Sequence, residues 1–468
     1  MLSRHVAFLT RWIDRLALVW VVLWGVWQST HLHAYAFDFD EGVHLMQARL
    51  IAKGAHPYHD IGLLLPPVWF ETTAALFRLF GATVLVGRLP VVVMACVGAV
   101  LTWGLARRFG AAAGLMGAMA FTLVPQGLWL SRAMMLEVPA VVFALAALFI
   151  ASRAETSASR WFVAGFLFGL SLMTKAVVPA TFAALVWLAW QSPQRVRALT
   201  ALTTGVILLV GATFTAYDAA EMWRLTVAVR SAMREAFPWH PLHNVQRILS
   251  DGLLPIGGLV VLACLGARVY RRVPLVQALA LWGIATLGLL FWHTPLRGQH
   301  LYTLGVIAAP LAAAGSAWLS QRLASPRWGV GLFIIALVWQ LGLTWSQIAP
   351  TYNAAYKFDD GKARLAAYIA ATTAPTDTVV VDYPMIAFRA GRSSVPALAE
   401  ISDGRIASGY LTSEMAIAAT EQAKPALIAF WSGRLQKLEA YTTWVETHYI
   451  FDRYFGRSHP VYRRAPNE

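Results

Sequence analysis

Long apolar runs separated by short basic turns fill roughly the first three quarters of this chain. The runs fall at residues 16–30, 88–105, 111–130, 138–151, 199–215, 253–269, 274–292, 301–319 and 329–345. A helix needs about 17 to 25 apolar residues to cross a bilayer, and most of these runs approach that length. The run 161–190 is of double length and is interrupted by Thr174, Lys175 and Pro179, which divides it into two short spans. The pattern therefore predicts a polytopic α-helical membrane protein of about eleven transmembrane helices.

Three polar segments break the pattern. Residues 31–87 hold two amphipathic stretches, 41–53 and 69–80, predicted as interfacial helices on either side of the turn Gly54-Ala55-His56-Pro57-Tyr58. Residues 217–250 form a second outer loop. From 353 the apolar runs become short. Helical spacing at 362–371 and 413–422 alternates with strand-like runs at 378–381 and 426–430. The division expected is a membrane unit, 1–352, and a small α/β domain, 353–468.

Charge sets the orientation. With the N-terminus in the cytoplasm, the inside loops carry Arg107-Arg108, Arg153 and Arg160, Arg195 and Arg197, Arg268 with Arg271-Arg272, and Arg322 with Arg327. The short outside turns hold Arg132, Lys175 and Arg297. This is the positive-inside pattern, and an odd number of spans puts the C-terminal domain outside. Ala34-Tyr35-Ala36 imitates a cleavage site after the first run, which we read as an uncleaved span. The expected location is the bacterial inner membrane, with the C-terminal domain in the periplasm or cell exterior.

Composition agrees: 58% of the 468 residues are hydrophobic and 13% charged, against about 25% charged in soluble domains. The net charge of +14 would suggest nucleic acid in a soluble protein. Here the arginines lie in the short loops, so anionic lipid headgroups are the expected partner and nucleic acid is not. Cys96 and Cys264 lie inside apolar runs and read as buried hydrophobes.

The candidate chemistry collects on the outer side. Asp38, Asp40 and Glu41 follow the first span, Glu137 lies between the third and fourth, Lys175 in the broken run, and Arg297, His300 and Tyr302 at the start of the tenth. Charges at a membrane edge are costly and invite a functional reading. Carboxylates can take a proton from an acceptor hydroxyl, and Lys or Arg can hold a departing phosphate. The plainer readings stay open. The acids can cap a helix, Lys175 can snorkel, and Arg297 can contact headgroups. His44, His56 and His59 read as surface residues with no metal-site spacing. No cofactor is required, and two or three acids are compatible with a divalent metal. In the C-terminal segment Asp382 and Asp403 read as isolated, and Arg389 with Arg392 as a surface pair.

The segment Asp40-Glu41-Gly42, Gly54 to Asp60, Pro66-Pro67, Phe80-Gly81 and Arg88-Leu89-Pro90 resembles the first outer loop of the GT-C glycosyltransferases. It is most similar to the branch of protein O-mannosyltransferases and lipid A aminoarabinose transferases. Leu136-Glu137-Val138-Pro139, Leu172-Met173-Thr174-Lys175 and the stretch 297–302 followed by Pro310 are similar to later motifs of that family, in order. Leu65 stands where the aminoarabinose enzymes usually carry a lysine. The resemblance implies a sugar transferase using a polyprenyl-phosphate donor and a lipid, glycan or protein acceptor, at the outer membrane face. It implies Asp40 as base with Glu41 beside it, Glu137 as second acid, and Lys175 and Arg297 on the donor phosphate. His300 and Tyr302 join them as substrate-binding candidates. A transporter or lipid flippase is the alternative; no repeated halves or midspan charges favour it.

Overall fold

The computed structural model describes residues 2–33, 38–175, 179–323, 327–353, 360–456 and 458–465. The imitation cleavage site at 34–36 lies outside the described residues. Each of the predicted apolar runs falls on helix, from Leu2–Gln28 to Arg327–Ile348. Among the described residues five helices are long and apolar enough to cross a membrane, or six when a bent pair is joined. Leu2–Gln28 and four shorter apolar helices, Ala111–Thr122, Glu137–Ala151, Ala158–Leu172 and Ala180–Trp190, carry the remaining predicted runs in the first half.

The predicted run 111–130 is broken. Pro125 disfavours helix at Val124 before it, so Ala111–Thr122 ends and Pro125–Leu130 starts afresh. The Leu123 carbonyl thereby released accepts a bond from the buried Gln340 amide at 2.5 Å. An exposed carbonyl in the bilayer core would cost several kcal/mol. Glycines bring other helices together. A Cβ at Gly165 or Gly205 would collide with the backbone of the partner helix, as would one at Gly266 or Gly315. The pairs Ala158–Leu172 with Arg195–Ala216, and Gly257–Val269 with Tyr302–Arg322, pack through these small residues. Tyr302–Arg322 is the central post, with Tyr302 to Ala317 all buried. Outer helices such as Arg327–Ile348 expose Ile334, Ile335, Val338 and Trp339, the apolar surface that lipid would cover.

The C-terminal region is a five-stranded sheet with helices. Its strands are β1 (Thr378–Val381), β2 (Ser393–Ser394), β3 (Leu427–Ala429), β4 (Ile450–Phe455) and β5 (His459–Arg463), in the order β2-β1-β3-β5-β4. The first three are parallel and β5 runs antiparallel to β3 and β4. Asp382, expected to be isolated, is fully buried and accepts backbone N–H groups from Trp431, Ser432 and Arg434 at 2.6, 2.8 and 3.1 Å. Arg392 is likewise not a surface residue: it is buried and bonded to Thr373 and Ala370.

This region is clamped onto the first outer loop. The helix Phe39–Ala52 was expected to lie at the membrane interface, but its residues Glu41 to Ile51 are buried. The C-terminal region covers it. Arg49 donates to the Arg392 carbonyl, Lys53 to Ser393 and Gln47 to Glu400, and Gly42 abuts the Met385 backbone too closely for a side chain. One continuous apolar core runs from the bundle through this helix to Met385, Ile386 and Phe388. A covered helix with polar residues on several faces has no simple interfacial stripe, and only the cover explains its burial.

Candidate active site

Helix Phe39–Ala52 starts at Asp38, whose carboxylate accepts the Asp40 amide at 3.4 Å. That cap fixes the first turn and aims its two acids in different directions. Asp40 is the accessible residue of an otherwise buried stretch from Phe39 to Ile51. It faces the charges of Lys175, Glu137, Arg297 and Arg230. Burial by the surrounding walls pushes its carboxyl above the ordinary value of 3.8, and Lys175, Arg297 and Arg230 pull the other way.

Glu41 points away from this chamber-like group of charges, toward Arg88. Its carboxylate receives Arg88 Nε and Nη2, each at 2.6 Å, and the Met134 amide at 2.9 Å. Both side chains of the pair are 0% exposed. The expectation that Glu41 acts beside Asp40 is therefore corrected by geometry: it is enclosed, doubly bonded and out of reach of a substrate. Arg88 also donates to the Leu32 carbonyl, so the pair ties the end of the first span to the helix that follows the loop.

Glu137 and Lys175, expected in separate roles, are bonded to each other. Lys175 Nζ lies 2.5 Å from Glu137 Oε1, and both are nearly buried. Glu137 opens the helix Glu137–Ala151, and its Oε2 has no hydrogen-bond partner among the described residues. Lys175 is thus charge-paired with Glu137 and keeps two N–H donors without a described partner. Arg297 is exposed, and its guanidinium makes no hydrogen bond to a described residue; its amide donates to His300 Nδ1 at 3.2 Å. His300 is buried, edge-on to His293 at 4.4 Å. Tyr302 is 1% exposed and packed on Gly127 and Phe121, so the structure places it in the core of the bundle and not on the chamber wall. His44, expected at the surface, is buried and donates from Nδ1 to the Met134 carbonyl at 3.1 Å. Burial, and then Lys175, push it down to about 4, so it is neutral near pH 7.

Two further charged residues near Asp40 carried no signal in the sequence. Arg230, in the second outer loop, donates from Nε to the Leu64 carbonyl at 3.1 Å and leaves both terminal nitrogens without a described partner. It interacts with the charges of Glu400, Asp40 and Glu137. Glu400, in the C-terminal region, reaches the same group of charges. The 217–250 loop offered several arginines of equal rank, and a lone Glu in a separate region carries no local signal. Among the described residues no three His, Cys, Asp or Glu side chains converge as a metal site.

The helical bundle, the two polar segments between its helices and the sheet region packed on them give the fold of the GT-C glycosyltransferases. The chain superposes on ArnT from Cupriavidus metallidurans bound to undecaprenyl phosphate with a TM-score of 0.67 and 13% identity, covering 98% of this chain and 99% of that one. Archaeal oligosaccharyltransferase AglB from Archaeoglobus fulgidus, in complex with an inhibitory peptide and a dolichol-phosphate, gives 0.58 at 14% identity over 97% and 74% of the two chains. Arabinofuranosyltransferase AftD from Mycobacteria gives 0.51 at 15% identity over 98% and 40%. Residues 65–217 match the dolichyl-phosphate-mannose-protein mannosyltransferase family. No curated protein sequence matches the chain.

Proposed function

We propose that this chain is a membrane glycosyltransferase that moves a sugar from a polyprenyl-phosphate donor to a hydroxyl-bearing lipid, glycan or protein acceptor, at the outer face of the bacterial inner membrane. The observation that carries the reading is Asp40: an accessible carboxylate without an ion-pair partner, facing Lys175, Arg297 and Arg230. The relatives named above supply the class of donor, and 1–352 would be the transferase unit.

The step is a single displacement. The acceptor hydroxyl gives its proton to an Asp40 oxygen while its oxygen bonds to the anomeric carbon. The bond from that carbon to the phosphate oxygen breaks, and the electron pair leaves with the phosphate. Inversion at the anomeric carbon follows from attack opposite the leaving group. Arg297 and Arg230 hold the phosphate with free guanidinium nitrogens, and Lys175 adds charge while oriented by Glu137. Arg230 is bonded beside Leu65, so it supplies a cation where the similar enzymes usually carry a lysine. Glu41 is a positioning residue that fixes the helix start through Arg88.

The test is made in cells lacking the protein. Mass spectrometry of envelope extracts identifies the glycan or lipid modification lost. Wild-type protein should restore it and Asp40→Asn should not. No modification lost in cells lacking the protein would remove the transferase reading; restoration by Asp40→Asn, at equal membrane level, would remove Asp40 as its base.

A further inference from the structure

Glu400 belongs to the C-terminal region, in the loop before helix Asp403–Ala407, yet its carboxylate is bonded to the helix that carries Asp40 and meets the charges of Arg405, Arg230 and Asp40. Oε2 accepts from Gln47 Nε2 at 3.2 Å, and Oε1 from the Ser402 hydroxyl at 3.3 Å. Gln47 follows Asp40 by seven residues, two helical turns, on the same face of the helix. Glu400 and Asp40 thus flank Arg230, which feels both charges. No oppositely charged pair among Asp40, Arg230, Arg297 and Glu400 closes to within 4.0 Å. Opposite charges desolvated but held apart are costly, and a polyhydroxylated ligand between them would satisfy both signs.

A second feature gives direction. Arg405 Nη1 donates to the Glu400 carbonyl at 2.8 Å, and Arg405 also forms one wall of a cleft of about 360 Å³. Tyr58 and Asp60 of the first loop, Arg224 of the second, and Tyr410 line it too. The cleft opens where the two loops meet the C-terminal region. A phosphate, by contrast, is repelled by Glu400 and drawn to Arg297, Arg230 and Lys175.

We propose that Glu400 is a specificity-determining residue that accepts hydrogen bonds from sugar hydroxyls of the acceptor, so that the C-terminal region forms the acceptor wall of the site. The proposal rests on the transferase reading above. Glu400 orders the acceptor between the cleft and Asp40, and takes no part in holding the donor phosphate.

The experiment uses the full-length protein in detergent. The donor probe is the polyprenyl-lipid fraction extracted from membranes of cells lacking the protein. The acceptor probe is the envelope fraction from the same cells. Three rates or affinities are measured: transfer to the envelope fraction, hydrolysis of donor by water, and binding of undecaprenyl phosphate. Glu400→Gln should lower transfer by about tenfold, the size of one lost hydrogen bond to a charged group. Hydrolysis and undecaprenyl phosphate binding should stay within about twofold. A parallel fall in transfer and hydrolysis assigns Glu400 to the donor sugar and overturns the proposal, as does unchanged transfer. Glu400→Ala should give a larger loss of transfer alone; where it does not fold, Glu400→Gln decides. Wild-type protein, run beside them, separates the two readings: absence of transfer by it removes the transferase reading itself, whereas wild-type transfer with unchanged Glu400 variants removes only this one.

Discussion

The two faces of one short helix behave as different materials. On the chamber side of Phe39–Ala52, Asp40 is accessible and its cationic neighbours stand off without pairing. On the other side, one residue along, Glu41 is sealed in a doubly bonded pair with Arg88. A closed buried pair has spent its charge on a partner and holds chain segments together. An open set of charges is destabilising until a ligand enters, which is how a site keeps affinity in reserve. The same contrast separates Lys175, bonded to Glu137, from Arg230 and Arg297, which are free for an anion.

The comparison breaks most sharply at the buried pair. Glu41→Ala leaves Arg88 buried and uncompensated, a loss of about 3–5 kcal/mol. Thermal unfolding in detergent should show a large drop or no folded protein, and an unchanged midpoint would mean the pair is not structural. Asp40→Asn should do the reverse. Transfer falls by roughly 10² or more while the protein stays as stable or gains stability. A matched loss of both would place Asp40 with Glu41 in the scaffold.

The next effect is smaller. Arg297→Gln and Arg230→Gln should each weaken undecaprenyl phosphate binding by about tenfold, as measured by titration of intrinsic tryptophan fluorescence. Full affinity in both variants would leave the phosphate without its proposed holders.

Acidity supplies the mildest test. The carboxyl of Asp40 titrates above 3.8 because burial outweighs its cations. A group raised in the folded state binds its proton more tightly there. Its contribution to stability is present below the unfolded value and is lost as pH rises through the folded one. Activity has the opposite sign, because the base must be ionised. Transfer should therefore fall as pH drops through the raised value, in a window where stability does not fall with it on account of Asp40. A pH profile without that acid limb, on a protein still folded, would remove Asp40 as the base.

Much of the scaffold was legible because hydrocarbon leaves few options. Apolar runs of spanning length between arginine-rich turns must be helices, and all of the predicted runs lie on them. The strand 378–381 and the helix 413–422 were likewise recovered nearly to the residue, since their periods differ. Asp40, Glu137, Lys175 and Arg297 were expected at one end of the bundle from their places between the apolar runs, and their charges do meet.

What charge on one side cannot tell is which charges meet. Glu41 and Asp40 are equal acids in the sequence, and only the helix start set by Asp38 turns one inward to Arg88 and the other to the chamber. Lys175 and Glu137 are 38 residues apart, and their bond exists because two helix ends converge. Arg230 and Glu400 are 170 positions apart and are joined by the folding of the C-terminal region onto the first outer loop. The sequence by itself determined the membrane class and the helices, because burial in lipid is a local constraint on composition and period. Pairing, exposure and the membership of the site are set by long-range packing, which brings together residues whose identities carry no trace of one another.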